Sequence, residues 1–470
     1  MPKFQKDLTK GSVARHLILF SLPFLASNFL QALYNMSDMF FVARFNGAAG
    51  ATAVGVGGQL NILMLNLIAG LAVGATVLIS RFLGAGRQKD VERTVSTVFT
   101  LYGAAAIVLT VVMFILNPLI LRQLVTEEAV YKETLLYANV CTGGMIFIFG
   151  YNAVSAVLRG MGDSKHPLYF VTISSVLDIG MNALFCGVFR WGAAGAAWST
   201  VFAQGLSFLL SVWFLRRQKF MFDFHPKSFR IDKDIAMQLL RVGLPASIGG
   251  TTVSLSFIGL TYIANGIAGI VGTTVLSVAG KVNSVAILPA FALQSATSSM
   301  AGQNLGAKKQ RRALQTCLTA IAITMCVTLP LMLLAQAFGE PVFRFFVGAD
   351  SDGLTPELFQ ACLDQFALYL RSVSWDYIIV AVTFNVTGLA IAAGHTKFTL
   401  TMSALSSLLL RLPAAWLLGK SLGLVGVAYA IPLAGVLVMF IDVGYLLSGK
   451  WKKSKGMPEQ EQEILESMVG

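Results

Sequence analysis

The sequence predicts an all-α polytopic membrane protein: twelve transmembrane helices in two six-helix lobes, related by a pseudo-two-fold axis along the membrane normal. Three observations predict it. Apolar residues make up 56% of the 470 positions and charged residues only 12%, and mean hydropathy is +0.71, whereas soluble domains carry about 25% charged residues. Twelve separate stretches are long and apolar enough to cross a bilayer, which takes about 20 residues of helix. The stretches also recur in two matching sets of six.

In chain order the spans are 16–43, 51–80, 94–117, 133–158, 167–189, 192–215, 239–265, 271–300, 313–338, 359–392, 397–419 and 422–447. Several exceed the bilayer thickness, which implies tilt or extension beyond the lipid. Glycine and proline inside them are tolerated, because neighbouring helices satisfy the freed backbone groups. The basic N-terminal stretch MPKFQKDLTKGSVARH precedes an apolar run too long for a signal peptide.

Lysine and arginine set the orientation. With the N-terminus in the cytoplasm, 26 of the 35 Lys and Arg fall in inside segments and 7 outside, while Lys281 and Arg411 lie within spans. That bias predicts an even helix count with both termini cytoplasmic. It also accounts for the net charge of +12 without nucleic acid as a partner. The five cysteines form no CxxC pair and the four histidines lie near segment ends, so neither a disulfide framework nor a zinc site is expected.

The longest basic loop, RRQKFMFDFHPKSFRIDKD, lies between spans six and seven. It divides the chain into an N-terminal lobe at 1–215, a cytoplasmic linker at 216–238, a C-terminal lobe at 239–447 and a cytoplasmic tail at 448–470. The halves repeat. At an offset of 222 positions Pro23 meets Pro245, Gly47 meets Gly269, Gly50 meets Gly272 and Asn61 meets Asn283. Later the offset drifts to 231, where Gly192 meets Gly423 and Gly195 meets Gly426. Six helices per half is an even number, so both halves enter the membrane in the same sense. Parallel repeats of this kind occur in transporters that work by alternating access, with a cavity between the bundles.

No GxxxxGK[ST], HExxH or GxSxG stretch is present, so an enzyme is not expected and an ion gradient is the natural energy source. Ionisable residues inside spans are then the functional candidates, since lipid makes them costly. They are Asp38 in the first span, Asp178 in the fifth, Lys281 in the eighth and Asp376 in the tenth. Asp178 lies about 11 residues, or ~16 Å, into its helix, near the midplane. Asn182 follows four residues later on the same face, and Thr200 in the sixth span supplies a hydroxyl. At the repeat offsets Asp38 corresponds to Leu260 and Asp178 to Leu409, which places a cation-handling site in the first lobe. Asp376, Lys281 and Asn35 are further candidates for the second lobe or the cleft. Lys281 reads either as a counter-ion to Asp376 or as a cleft residue, and Arg371 as an alternative partner of Asp376. Arg411, near the outer end of its span, is expected to snorkel to the interface.

The stretch SLPFLASNFLQALYNMSDMFFVARFNGAAGATAVG resembles the first helix and following turn of multidrug and toxic compound extrusion (MATE) transporters. RFLGAGR, AVLRGMGDSKHPL and GAAGAAWSTVFAQ resemble later signatures of that family. The resemblance implies twelve helices in two lobes and export of organic cations in exchange for Na⁺ or H⁺, with no other cofactor. It implies ion-site roles for Asp38, Asp178, Asn182 and Thr200. Here the fifth-helix acid precedes the amide, the reverse of the family order. Another branch uses an acid in the tenth helix, near Asp376. The expected protein is a monomeric, multi-pass inner-membrane antiporter surrounded by lipid. The alternative is a lipid-linked oligosaccharide flippase of the same superfamily, which would need a more cationic cleft than Lys281 and Arg411 supply.

Overall fold

A computed structural model describes residues 5–124, 127–218, 220–347 and 355–453, without the side chains at positions 35, 48, 49, 51, 63, 124 and 226. The Asn35 side chain and most of the 448–470 tail therefore lie outside the described residues. Among the described residues, nine helices are long and apolar enough to cross a membrane, and two further pairs of helices, each bent at a short break, bring the number to eleven. One of the nine, Lys233–Gly306, is itself interrupted by non-helical backbone at Ala268 and Gly269. Splitting it there gives the twelve spans the sequence predicts.

These are α1 (Val13–Gly47), α2 (Thr52–Gly84), α3 (Gln88–Gln123), α4 (Glu128–Gly143 and Met145–Gly160, bent by 45°), α5 (Lys165–Val188) and α6 (Gly192–Arg217). The second set is α7 (233–267), α8 (270–306), α9 (Gln310–Ala337), α10 (Pro356–Val373 and Asp376–Ala392, bent by 41°), α11 (Thr396–Leu422) and α12 (Leu424–Leu447). A short helix at Gly339–Phe346 comes after α9. Helices are the natural outcome, since in lipid each backbone N–H and C=O must find a partner within its own segment. The outward faces carry large apolar side chains, among them Leu119, Val176 and Leu209 at 62%, 68% and 60% exposure, as expected of surfaces that meet acyl chains.

The chain forms two compact units. One comprises Leu22–Ser247 with the N-terminal segment up to Leu8, and the other Ile248 onward with Thr9–Ser21. In the first, α2 and the start of α7 approach through glycine. A Cβ on Gly70 would lie 2.0 Å from Ser247 Oγ, and one on Gly74 2.8 Å from the Leu239 carbonyl oxygen. Small residues allow this backbone-level packing where no hydrophobic effect operates between helices. In the second, an apolar cluster surrounds Leu260, Phe343, Phe366, Tyr377 and Val427.

The repeat reappears in the backbone. The α1–α2 break falls at Gly47 (φ 66°) and the α7–α8 break at Gly269 (φ 53°), positions matched at the 222 offset. Gly192 and Gly423, matched at 231, also have positive φ. The two bent helices, α4 and α10, are equivalent in the repeat. The fifth and eleventh spans, α5 and α11, each contain a π-helical turn, at Ala183–Val188 and Leu405–Arg411.

That turn bears on Arg411. It is 9% exposed, with its guanidinium 5.4 Å from the Phe257 ring, so the expected snorkelling does not occur. An i→i+5 turn holds one residue more than a regular turn and rotates the remainder of the helix by about 100°, so the direction read from an ideal helix misplaces the side chain. The expected partners of Asp376 are also corrected. Lys281 is exposed and forms no salt bridge with an acid among the described residues; the cation that shares a cavity with Asp376 is Arg411. The Arg371 guanidinium donates instead to the Gln336 carbonyl at 3.1 Å.

Candidate cation site in the first lobe

Three helices bring Asp38, Asp178, Asn182 and Thr200 together. Asp38 sits on α1, nine residues before the Gly47 break, and is 4% exposed; Asp178 and Asn182 are 1% and 0% exposed. The four-residue spacing on α5 stacks Asp178 and Asn182 on one face. The Asn182 amide nitrogen donates to Asp38 Oδ1 at 2.6 Å and to Asp178 Oδ2 at 3.2 Å. Thr200 on α6 donates to the other oxygen of Asp38 at 3.0 Å. Ser199 Oγ lies 2.8 Å from both Oδ1 and the backbone oxygen of Asp178.

Each carboxylate thus has a neutral donor beside each of its oxygens, and one amide bridges the two. Among the described residues no Lys, Arg or His forms a salt bridge with either acid. Two acids in an apolar interior with only neutral donors call for a compensating positive charge. The groups able to provide a cation's ligands are carboxylate, amide and hydroxyl oxygens, a set suited to a hard monovalent ion or to proton exchange. The amide oxygen of Asn182 faces the Cys186 thiol, 3.9 Å away.

The network continues past the residues singled out from sequence. Gln204, one turn beyond Thr200, donates to the Tyr34 hydroxyl at 3.2 Å, one turn before Asp38. Ser199, Gln204 and Tyr34 were legible only as polar neighbours, at i−1 and i+4 of Thr200 and i−4 of Asp38. Asp442 on α12 is a missed intramembrane acid, 1% exposed. Its signal was the same as for Asp38, a carboxylate within the apolar run 422–447. The expected counterparts in the second half behave as apolar positions: Leu260 is fully buried in the second-lobe core and Leu409 is 67% exposed.

The MatE family model matches residues 23–184 and 245–417. Over 457 residues the chain is 29% identical to the probable multidrug resistance protein YpnP of Bacillus subtilis, covering 97% of this chain and 99% of that one. It is 24% identical to the probable multidrug resistance protein NorM of Thermotoga maritima, over 94% of each. In three dimensions it resembles a MOP superfamily transporter from Pyrococcus furiosus, with a TM-score of 0.87 at 22% identity over 94% of this chain and 96% of that one. With two matched halves and twelve spans, the chain is a multi-pass membrane protein that belongs to the MatE family.

Proposed function

We propose that this protein is an antiporter that exports organic cations, drugs among them, in exchange for Na⁺ or H⁺. Asp38, Asp178, Asn182 and Thr200 bind the coupling ion. The observation that carries the proposal is the pair of buried carboxylates bridged by the Asn182 amide, without a basic salt-bridge partner among the described residues. The names of the Bacillus and Thermotoga relatives, both probable multidrug resistance proteins, support the cargo class. An ion that binds one arrangement of the lobes and a drug that prefers the other drive each other's movement, because a ligand shifts an equilibrium only by its differential affinity. The chain works as a monomer in the inner membrane with both termini cytoplasmic and needs no cofactor beyond the coupling ion.

The test is drug efflux from proteoliposomes with an imposed Na⁺ or proton gradient. Asp38→Asn keeps the shape and removes one negative charge. Gradient-driven efflux should fall at least ~10-fold, equivalent to ~1.4 kcal/mol of ion-binding free energy. Unchanged efflux in the variant would sink the site, and absence of gradient-dependent transport of any organic cation would sink the antiporter reading.

A further inference from the structure

The second lobe contains a charged cavity that the first-lobe site does not use. It holds about 170 Å³ between one face each of α10, α11 and α12, with α7 and α8 contributing the remaining wall. That is room for several waters. Its polar lining has a direction. Asp376 Oδ1 lies 3.0 Å from where a Cβ on Gly435 would stand. Asp442 is seven residues further along α12 on the same face, two turns or about 10 Å away.

Asp376 shares the cavity with the Arg411 guanidinium, whose Nε and Nη1 find no hydrogen-bond partner in the protein. Asp442 is 1% exposed, and neither carboxylate oxygen accepts a hydrogen bond. Water in the cavity can reach it, but no protein cation or donor offsets its charge among the described residues, so a buried Asp442 favours binding a proton or a cation. Hydroxyls sharing the cavity include those of Thr383 and Thr387 on α10 and of Thr399, Ser403, Ser406 and Ser407 on α11, of which Thr383 and Thr399 donate to carbonyls of their own helices and keep their oxygens free to accept. A hydroxyl both donates and accepts, which suits proton transfer. Among the described residues no group of three or more His, Cys, Asp or Glu is placed to hold a metal ion.

The titratable and charged groups around Asp442 are Cys317 on α9, Asp376 and Tyr377 on α10, and Arg411 on α11. On its own helix is Tyr445, whose hydroxyl meets His395 Nδ1 at 2.7 Å. We propose that Asp442 is a proton-binding group of the second lobe, loading and unloading through this hydroxyl-lined cavity independently of Asp38 and Asp178.

Infrared difference spectroscopy of the purified full chain in lipid vesicles, titrated with acid in Na⁺-free buffer, tests this. The wild type and Asp38→Asn should share a titrating carboxylic-acid C=O component that Asp442→Asn lacks. An identical spectrum in Asp442→Asn overturns the proposal. Should that variant fail to fold, Asp442→Glu must move the component, and an unmoved one overturns the proposal equally. Adding Na⁺ should leave the component in place, whereas its loss at constant pH would identify a metal-cation site and refute proton binding. Thr399→Val should slow the hydrogen–deuterium exchange of the component, and unaltered exchange would refute the hydroxyl route. The readout requires no transport, so a failed efflux assay bears on the first-lobe reading and a failed titration on this one.

Discussion

Asp38 and Asp178 illustrate what a membrane interior does to single residues. An acid in a span stands out in sequence because so few are present, and its company at four-residue spacing comes from helix geometry. The same rule applies to Asp442, but that acid has no amide or second acid beside it in sequence to single it out, as Asp178 has. Arg411 was misplaced for a different reason: its depth was legible but its direction was not. Outside the membrane, Asp163 in the α4–α5 turn gives a residue-scale prediction. Its Oδ1 accepts from the Lys165 N–H at 3.0 Å, and its Oδ2 pairs with the His166 ring. Burial opposes its charged form, but the His166 hydrogen bond and charge, the Lys6 charge and the Lys165 N–H outweigh it, so its carboxyl is held below the ordinary value. A depressed carboxyl stabilises the fold above its unfolded pKa of about 3.9, and that contribution disappears as pH falls through the folded value. Asp163→Asn should therefore cost ~1–2 kcal/mol near neutrality, seen as a lower Tm in detergent. The gap to wild type should close on acidification below about pH 4; a gap that persists there would refute the assignment.

At the scale of the element, the twelve spans were legible because lipid leaves the backbone one economical conformation, so apolar length alone identifies a helix. The interruptions were legible only in part. Gly47 and Gly269 showed themselves as repeat-matched glycines, and both occupy backbone conformations that L side chains avoid. The α4 bend falls at the glycine pair Gly143–Gly144, while the bend in α10 and the π turns in α5 and α11 carry no comparable local mark. At Gly144 the chain also packs closely on α6: a Cβ there would lie 2.4 Å from Val201 Cγ2, so this position has no room for a side chain. Gly47 and Gly269 allow a test of conformation alone, because nothing lies within 4 Å of a Cβ at either position. Gly47→Ala and Gly269→Ala should each destabilise the protein by ~1–3 kcal/mol. Gly280→Ala, in regular helix with equally open surroundings, should be neutral or stabilising by up to ~1 kcal/mol. Thermal unfolding in detergent compares the three, and equal Tm values would show that the breaks do not depend on glycine.

For the whole molecule, duplication supplies the frame and unequal charge supplies the difference between its halves. The first lobe buries two acids around one amide, and the second buries Arg411 and Asp376 in one cavity with Asp442, which has no protein hydrogen-bond partner among the described residues. Such charges do work only if the gradient meets them from a defined side, so orientation decides what the proposed coupling means. Lysine and arginine carry that information, because 26 of 35 fall in segments that share one side when the N-terminus is inside. The basic loop containing Lys227 and the α11–α12 turn beside Lys420 should therefore lie on opposite sides of the membrane. Cysteines placed at these two positions report it, in a background with Cys326→Ser, since Cys326 is the exposed cysteine among the described residues. A membrane-impermeant maleimide added to intact cells should label Lys420→Cys, and should label Lys227→Cys only after permeabilisation. The reverse pattern would place both termini outside and invert the direction in which a proton or sodium gradient drives export. Labelling of both positions in intact cells would remove the two-sided topology on which alternating access depends.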